Sequence, residues 1–348
     1  MRRAARRALL AVTLLVATGC AGVGGPVPGA PAHHRAHGFA NTNPAFARPG
    51  FWTIQAFRAR RVWAALANTK PIPDFPRAAN DGRALRDNRD AATLTWIGHA
   101  TLLIQLDGLN VLTDPHFSER ASPFSFAGPR RLNPPGLAFE ALPPIDVVVI
   151  SHDHYDHLDR ASVQRLAATH KPLFLVPLGL KAWFASLGID RVTELDWWDS
   201  HRVGAATFTL TPVQHWCART PFDMDRRLWG GWAIAGRERR LFFGGDTGYY
   251  EGFREVGARL GPFDLAMMSI SAYEPPAIMR MTHTTPEEAL RVFTDVRART
   301  FVAMHWGTFD LSDEPLDEPP RRLRAAARGM DLPDERVWIL AHGETRGF

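Results

Sequence analysis

The feature that most constrains this chain is a dense group of polar side chains at the end of an apolar run. Asp146-Val147-Val148-Val149-Ile150 is rich in β-branched residues, which favours a strand buried on both faces. The run ends at Ser151-His152-Asp153-His154-Tyr155-Asp156-His157. Imidazole nitrogen and carboxylate oxygen are donors that suit Zn²⁺ and similar divalent ions. Because this segment has no cysteine, we expect an open hydrolytic metal site rather than a closed structural one.

Strands alternate with helical patterns along the chain. Residues 101–104 and 111–113 flank Asp107-Gly108, a dipeptide that favours a tight turn, so they predict a β-hairpin. Thr285 followed by Pro286 predicts the start of a helix over residues 287–296. Further strands are predicted at 173–176, 207–213, 232–235, 241–243, 265–270, 301–304 and 337–340, and a further helix at 161–170. Interleaved strands and helices indicate an α/β protein built from packed layers.

The spacing H-x-H-x-D-H resembles the signature of the metallo-β-lactamase superfamily. The resemblance implies a four-layered αββα sandwich with a two-metal site at its strand ends. In that pattern His152 and His154 bind one metal ion, and Asp156 and His157 bind the other. It also implies that three more ligands follow later strands, in the order His, Asp, His. The residues in these positions are His215, Asp246 and His305.

The resemblance gives each later ligand a role. His215 completes the first metal site, His305 completes the second, and Asp246 bridges both metals through its two carboxylate oxygens. The glycines of Gly244-Gly245-Asp246-Thr247-Gly248 support this role, because they let the backbone bend close to the metals. The implied cofactors are two Zn²⁺ ions, and the residue types leave Fe or Mn open.

Three further polar residues have two interpretations each. By the resemblance, Asp114 orients ligands without binding metal, or it only starts a turn with Pro115. His283 falls where the family has a histidine near the reaction centre. It would contact phosphate or donate a proton to the leaving alkoxide, or it is a polar residue near a helix cap. His99 hydrogen-bonds behind the ligands or faces solvent.

Longer motifs resemble one branch of the superfamily, the N-acylphosphatidylethanolamine-hydrolysing phospholipase D-like family. The motifs are Thr95-Trp96-Ile97-Gly98-His99-Ala100-Thr101, Gln214-His215-Trp216-Cys217, Leu228-Trp229-Gly230-Gly231-Trp232 and Met304-His305-Trp306-Gly307-Thr308-Phe309. This resemblance implies a phosphodiester hydrolase that releases phosphatidic acid and an N-acylethanolamine by attack of a metal-bridging hydroxide. Two alternatives stay open: a hydrolase similar to the ascorbate-6-phosphate lactonases, and a non-catalytic envelope lipoprotein.

The amino terminus predicts export. Four arginines precede an apolar run over residues 8–17, which is typical of a secretory signal and too short to span a bilayer. Ala17-Thr18-Gly19-Cys20 resembles a lipobox, so residues 1–19 are predicted to be a lipoprotein signal peptide and Cys20 the lipidated residue. An ordinary cleaved signal and an unprocessed anchor helix are the alternatives. Ala21 after the cysteine predicts anchoring in the outer membrane of a bacterial envelope, facing the periplasm.

Charge and composition limit the possible classes of partner and the domain boundaries. Removing residues 1–19 lowers the number of basic side chains from 41 to 37, against 36 acidic ones. This near-neutral balance gives no case for nucleic-acid binding, so the predicted partners are a phospholipid substrate and the membrane through the lipid anchor. The oligomeric state is left open. Residues 20–50, rich in Gly, Pro and Ala, are predicted to be the anchor and a flexible linker, and residues 51–348 a single hydrolase domain.

Overall fold

A computed structural model describes residues 23–67 and 70–348. The predicted signal peptide and Cys20 lie outside these ranges. Among the described residues, no helix is both long and apolar enough to cross a membrane.

The described residues form the following strands and helices. The strands are β1 (His34–Arg35), β2 (Gly38–Phe39), β3 (Thr93–Gly98), β4 (Thr101–Leu106), β5 (Leu109–Thr113), β6 (Val147–Val149), β7 (Leu173–Pro177), β8 (Val192–Leu195), β9 (Ser200–Val203), β10 (Ala206–Thr211), β11 (Gly231–Ala235), β12 (Arg240–Phe243), β13 (Phe263–Ser269), β14 (Ala298–Met304), β15 (Val337–Trp338) and β16 (Thr345–Gly347). The helices are α1 (Phe51–Ala67), α2 (Arg83–Asp87), α3 (Arg160–Thr169), α4 (Lys181–Ala185), α5 (Gly252–Leu260), α6 (Pro276–Met279), α7 (Pro286–Asp295) and α8 (Glu318–Gly329), with short 3₁₀ turns at Phe139–Ala141 and Asp334–Arg336.

In the described ranges these strands form two mixed seven-stranded sheets and the small β1–β2 hairpin. The first large sheet has the order β16-β3-β4-β5-β6-β7-β8, and the second has the order β15-β14-β13-β12-β11-β10-β9. The predicted hairpin is confirmed, because β4 and β5 pair antiparallel with Leu106 opposite Leu109. Its turn residues Asp107 and Gly108 have φ angles of 52° and 80°, as a two-residue turn with two left-handed positions requires.

The main core lies between the two sheets. Trp96 and Val149 of the first sheet and Trp232 and Phe242 of the second all belong to it. The Trp232 indole Nε1 donates a hydrogen bond to the Ile150 carbonyl oxygen at 2.9 Å, which ties the second sheet to the end of β6. Large apolar side chains removed from water in this way supply most of the stabilisation of such a layered fold.

Helices cover the outer faces of both sheets. Leu166 of α3 and Phe184 of α4 pack against Val148 and Phe174 on the outer side of the first sheet. On the other side α7 packs on β13 and β14, and it contacts α5 and α8. The predicted αββα sandwich is therefore confirmed.

Helix ends follow the predicted capping chemistry. The Thr285 hydroxyl accepts a hydrogen bond from the Glu288 N–H, and the Glu288 carboxylate accepts from the Thr285 N–H, so α7 begins with a capping box. The Asp159 carboxylate caps α3 by accepting hydrogen bonds from two backbone N–H groups. Because α3 starts three residues after His157, this cap also fixes the end of the loop that carries the predicted metal ligands.

The prediction of a flexible linker over residues 20–50 is wrong for the part that the structure describes. Phe39 is buried in the main core. The imidazole Nε2 atoms of His33 and His34 lie 2.6 Å and 2.7 Å from the two carboxylate oxygens of Asp196. Asn41 donates a hydrogen bond to the His215 carbonyl at 2.7 Å and accepts one from the His215 N–H at 3.1 Å. These contacts join residues more than a hundred positions apart, so the folded body includes this segment and does not begin at residue 51.

Candidate metal centre

All seven predicted metal ligands lie together at one edge of the sandwich. The loop between β6 and α3 carries His152, His154, Asp156 and His157. The other ligands follow β10, β12 and β14, which run in the same direction because β11 is antiparallel to both β10 and β12 and the pairs β12–β13 and β13–β14 are parallel. These ligands are His215, Asp246 and His305. Strands that point the same way deliver the residues after them to one edge.

Three imidazoles form the first cluster. His154 Nδ1 lies 2.9 Å from His152 Nε2 and 3.2 Å from His215 Nε2. His152 and His215 are almost fully buried, and His154 is partly buried. The three nitrogens therefore converge on one point, as the resemblance implies for the first metal.

The second cluster combines imidazoles with a carboxylate. His157 Nε2 and His305 Nε2 lie 3.2 Å apart, and each is 3.4 Å from Asp156 Oδ2. His305 has a φ angle of 67°, a left-handed conformation that aims its side chain back toward the loop after β6. The structure brings together the set that the sequence predicts for the second metal.

Asp246 lies between the two clusters. Its Oδ2 is 3.2 Å from His157 Nε2 and 4.0 Å from His215 Nε2, and its Oδ1 is 3.1 Å from His305 Nε2. One carboxylate thus reaches both donor sets, which is the geometry a bridging ligand needs. Gly245 makes this approach possible: its φ angle is 56°, and a Cβ there would lie 2.7 Å from the Ser151 Cβ.

The donor atoms fit bound metal ions. Around a tetrahedral Zn²⁺ with bonds of about 2.0–2.1 Å, neighbouring ligand atoms lie about 3.3 Å apart, close to the separations in both clusters. One donor atom, Asp246 Oδ1, is buried and has no hydrogen-bond partner in the described residues. In each group, lone pairs on nitrogen and oxygen atoms face one another with too few protons between them. A cation at the centre of the group is therefore favoured.

Electrostatics differ between the clusters. Burial holds the pKa values of His152, His154 and His215 below their ordinary value, so these imidazoles are neutral and keep a free lone pair. In the second cluster burial also lowers the pKa of His305, but the nearby Asp246 and Asp156 carboxylates outweigh it and raise that pKa to about 9. The second cluster therefore attracts positive charge, and a divalent ion would satisfy the same demand.

Polar groups behind the ligands orient three of the imidazole rings. Asp114 lies at the end of β5 with Oδ2 2.7 Å from His157 Nδ1, which leaves His157 Nε2 for the metal. The Thr282 carbonyl oxygen lies 2.8 Å from His215 Nδ1, and the Ser151 hydroxyl lies 2.9 Å from His152 Nδ1. Such partners fix the tautomer and direction of a metal-binding histidine. Of the two interpretations of Asp114, the geometry favours the orienting one.

For His99, the sequence leaves open whether the side chain hydrogen-bonds behind the ligands or faces solvent. Its Nε2 lies 2.9 Å from Asp156 Oδ2, and its ring packs against that of His305 with the ring centres 3.9 Å apart and the ring planes at 38°. The residue is almost fully buried in the turn between β3 and β4, so it does not face solvent. Position in the Trp-Ile-Gly-His-Ala motif was the one available clue, because the contact with Asp156 depends on the packing of distant segments.

His283 lies beside the Asp246 carboxylate. Its Nδ1 is 3.7 Å from Asp246 Oδ2, and its ring centre is 5.3 Å from that of His215. Burial lowers the pKa of His283 to about 4, so the neutral imidazole is favoured near pH 7. A neutral ring can donate a hydrogen bond, but it is a poor source of a whole proton.

The loop ligands are also held from the far side by an ion pair. Asp153, fully buried between His152 and His154, has its Oδ2 2.5 Å from Arg227 Nη1. Arg227 Nη2 also lies 2.6 Å from Asp223. The two carboxylates and one guanidinium connect the loop after β6 with the loop that follows His215.

Comparison with known proteins agrees with this geometry. The sequence family described as the Beta-lactamase superfamily domain matches residues 109–306. The N-acyl-phosphatidylethanolamine-hydrolyzing phospholipase D 1 of Caenorhabditis elegans is 44% identical over 263 residues, which cover 72% of this chain and 74% of that protein. This chain belongs to the metallo-β-lactamase superfamily.

Two further similar proteins extend the comparison. An uncharacterized protein of Mycobacterium tuberculosis is 40% identical over 322 residues, which cover 88% of this chain and 84% of that protein. The solved structure of Igni18, a metallo hydrolase from Ignicoccus hospitalis, superposes with a TM-score of 0.57 at 19% identity and covers 74% of this chain and 99% of its own. The second likeness shows the shared fold, and together with the converging ligands the comparisons identify a metal-dependent hydrolase.

Proposed function

We propose that this protein cleaves the phosphodiester bond of N-acylated phosphatidylethanolamine and releases phosphatidic acid and an N-acylethanolamine. The observation that carries the proposal is Asp246, whose carboxylate reaches both donor clusters. A bridged pair of metal ions would bind the phosphoryl oxygens and lower the pKa of an attacking water. The relative from C. elegans, named for this reaction, supports the choice of substrate.

The protein's own residues have defined tasks in this proposal. Neutral His152, His154 and His215 would hold one ion, while Asp156, His157 and His305 would hold the other. We assign Zn²⁺ to both, with Fe or Mn as the other metals that the donors accept. His283 would donate its N–H to a phosphoryl oxygen, because its lowered pKa disfavours the imidazolium form needed for proton transfer to the leaving alkoxide.

An exposed aromatic surface supports a lipid substrate. Trp52 and Trp63 on α1 are 81% and 72% exposed. Arg61 of the same helix donates hydrogen bonds to the carbonyl oxygens of Asp310 and Ser312, in the segment that follows His305. Tryptophan side chains suit the boundary between lipid headgroups and acyl chains. Helix α1 would therefore meet a phospholipid surface close to the metal centre.

The experiment is a lipid-product assay with metal analysis on the full-length protein in detergent micelles. N-palmitoyl phosphatidylethanolamine is the substrate, and both products are measured by mass spectrometry. We expect Asp246→Asn to lose bound metal and to lower turnover by more than about 100-fold, since losing a ligand costs more than losing its supporting partner. Asp190→Asn, which changes an exposed aspartate before β8, serves as the matched control.

Other outcomes would decide against the proposal. Turnover of a lactone without phosphodiester cleavage would favour the lactonase alternative. Absence of both activities in a protein that retains two metal equivalents would exclude both substrate classes. Unchanged turnover in Asp246→Asn would contradict the bridging role.

We also propose that Cys20 carries the lipid that anchors the protein in the bacterial outer membrane, facing the periplasm. The chain has two cysteines, so each serves as a control for the other. Labelling cells with a radioactive fatty acid should mark the parent and Cys217→Ser but not Cys20→Ser. Membrane fractionation then tests the location, and recovery of the labelled protein with the inner membrane would contradict it.

A further inference from the structure

A concave surface lies at the opposite end of the strands from the candidate metal centre. It is a depression of about 850 Å³ beside the starts of β12, β13 and β14. Arg299 is the second residue of β14, and the ligand His305 follows the last. Six residues of extended chain cover about 20 Å, so the two sites are separate.

The lining of this depression is strongly basic. Five arginines line it: Arg237, Arg240, Arg297, Arg299 and Arg336. The acidic side chains in the lining are Glu238 and Asp264. Asp264 is already engaged, because its carboxylate accepts a hydrogen bond from the Arg240 N–H at 2.9 Å and lies 3.3 Å from Arg239. The near-neutral charge of residues 20–348 therefore hides a local excess of positive charge.

Two of the arginines are held in place by the backbone. Arg336 Nε donates to the Arg299 carbonyl oxygen at 2.7 Å, and its guanidinium lies 5.4 Å from the centre of the Phe293 ring. Arg240 Nη1 donates to the Gly261 carbonyl oxygen at 3.4 Å. In the described residues, no side-chain hydrogen bond or ion pair is formed by Arg237, Arg297 or Arg299. The depression thus combines fixed and free guanidinium groups.

We propose that this arginine depression binds a ligand that carries at least two phosphate groups. Guanidinium groups pair with phosphate through two parallel hydrogen bonds, which a lysine cannot offer. One phosphate engages one or two arginines, whereas five arginines around a cavity of this size suit a larger anion. The proposal does not depend on the reaction at the metal centre, since it involves none of the metal ligands.

The test measures binding of inorganic pyrophosphate and tripolyphosphate to the full-length protein by isothermal titration calorimetry. The test variant is Arg237→Ala/Arg299→Ala, because these side chains make no hydrogen bond that the fold would lose. The matched control is Arg226→Ala/Arg324→Ala, which removes two exposed arginines and the same charge elsewhere. Thermal unfolding and phosphodiester hydrolysis of both variants show that the fold and the metal centre are intact.

We expect the test variant to bind pyrophosphate at least tenfold more weakly than the parent, a loss of about 1.4 kcal/mol, while the control binds like the parent. Tripolyphosphate should bind more tightly than pyrophosphate. Equal affinity of the parent and the test variant would overturn the proposal, because pyrophosphate would then bind elsewhere on the protein. An equal loss in the control would overturn it by showing a general effect of net charge.

A lipid headgroup and a soluble polyphosphate present the same chemistry, and a second arm separates them. Phosphatidylcholine vesicles with and without phosphatidylinositol 4,5-bisphosphate are sedimented with the parent and both variants. Binding to pyrophosphate and to the bisphosphate vesicles, both lost in the test variant, would identify a site open to headgroups. Binding to pyrophosphate alone would identify a soluble ligand, and binding to neither would overturn the proposal.

Discussion

Asp114 Oδ2 lies 2.7 Å from His157 Nδ1, and this contact sets which nitrogen of His157 faces the candidate metal site. The same carboxylate accepts hydrogen bonds from the Ser151 N–H at 2.7 Å and the Ser151 hydroxyl at 2.5 Å. All three groups are buried. Asp114 therefore joins the end of β5 to the start of the ligand loop after β6, and it holds the His157 proton on Nδ1.

Asp114→Asn is expected to weaken metal binding without removing a ligand. An amide that donates to His157 Nδ1 would force the ring proton onto Nε2, the nitrogen that faces the second cluster. Loss of such a partner typically lowers metal affinity or activity by about 10- to 100-fold. Competition with a chelator, followed by metal analysis, measures the change. Asp190→Asn is the control, and an unchanged metal affinity in Asp114→Asn would contradict the orienting role.

Arg227→Ala is expected to destabilise the fold strongly. It leaves the Asp153 carboxylate, which is fully buried, without its ion-pair partner. Breaking a buried pair from one side costs about 3–5 kcal/mol. Urea denaturation measures the free energy of unfolding, and Arg324→Ala, at an exposed position on α8, should stay within about 0.5 kcal/mol of the parent. A loss below about 1 kcal/mol would show that water or another group replaces Arg227.

The exposed tryptophans of α1 are expected to contribute to membrane binding but not to the hydrolysis of a soluble substrate. Trp52→Ser/Trp63→Ser should lower the fraction of protein bound to phosphatidylcholine vesicles and the turnover of substrate in those vesicles. The variant should hydrolyse a short-chain substrate, used below its critical micelle concentration, at the same rate as the parent, since neither residue is a predicted metal ligand. Phe51→Ser changes a less exposed aromatic residue of the same helix (44% exposed), so it should lower vesicle binding by a smaller amount. Equal vesicle binding by parent and variant would reject a lipid-facing role for α1.

Asp225 predicts a pH dependence of stability. Burial raises the pKa of Asp225 to about 6, although the Arg48 guanidinium beside it acts in the opposite direction. The folded chain therefore holds this proton more tightly than the unfolded chain, where an aspartate has a pKa near 3.9. The stabilisation is fully present below pH ~3.9 and is lost as the pH rises through about 6, by at most about 3 kcal/mol.

Asp225→Asn removes that titration. The difference in unfolding free energy between parent and variant should change between pH 4 and pH 7 in favour of the variant, because only the parent ionises a buried carboxyl group. Urea denaturation across this range provides the measurement. Asp190→Asn should follow the parent at every pH. A constant difference between the parent and Asp225→Asn would show that Arg48 offsets the cost of burial completely.

The sequence predicts the ligand loop and the hairpin because both are local. The H-x-H-x-D-H spacing brings four donors together within one loop, and Asp107-Gly108 needs only its own two φ angles to make a turn. Likewise Thr285, Pro286 and Glu288 lie within one turn of the helix that they cap. Each of these features depends on neighbours along the chain.

Features that depend on distant contacts were harder to predict. His99 and Asp156 are far apart in the sequence, and only the packed sheets bring them together. The arginine depression collects residues from the starts of β12 and β14, from the turns before them and from the segment before β15, so net charge alone missed it. The segment from Val23 onward is poor in periodic apolar residues, yet single contacts of Phe39 and Asn41 attach it to the domain.

The packing of that amino-terminal segment limits the distance over which the proposed anchor could act. The Val23 carbonyl oxygen already accepts a hydrogen bond from the His37 N–H at 2.8 Å. Three residues of fully extended chain reach about 10 Å, whereas a flexible linker of thirty residues would average about 30 Å. A lipid on Cys20 would thus hold the folded domain close to the surface of the membrane that carries the anchor. The enzyme would search its own bilayer in two dimensions, and lipids in the opposite membrane of the envelope would stay out of reach.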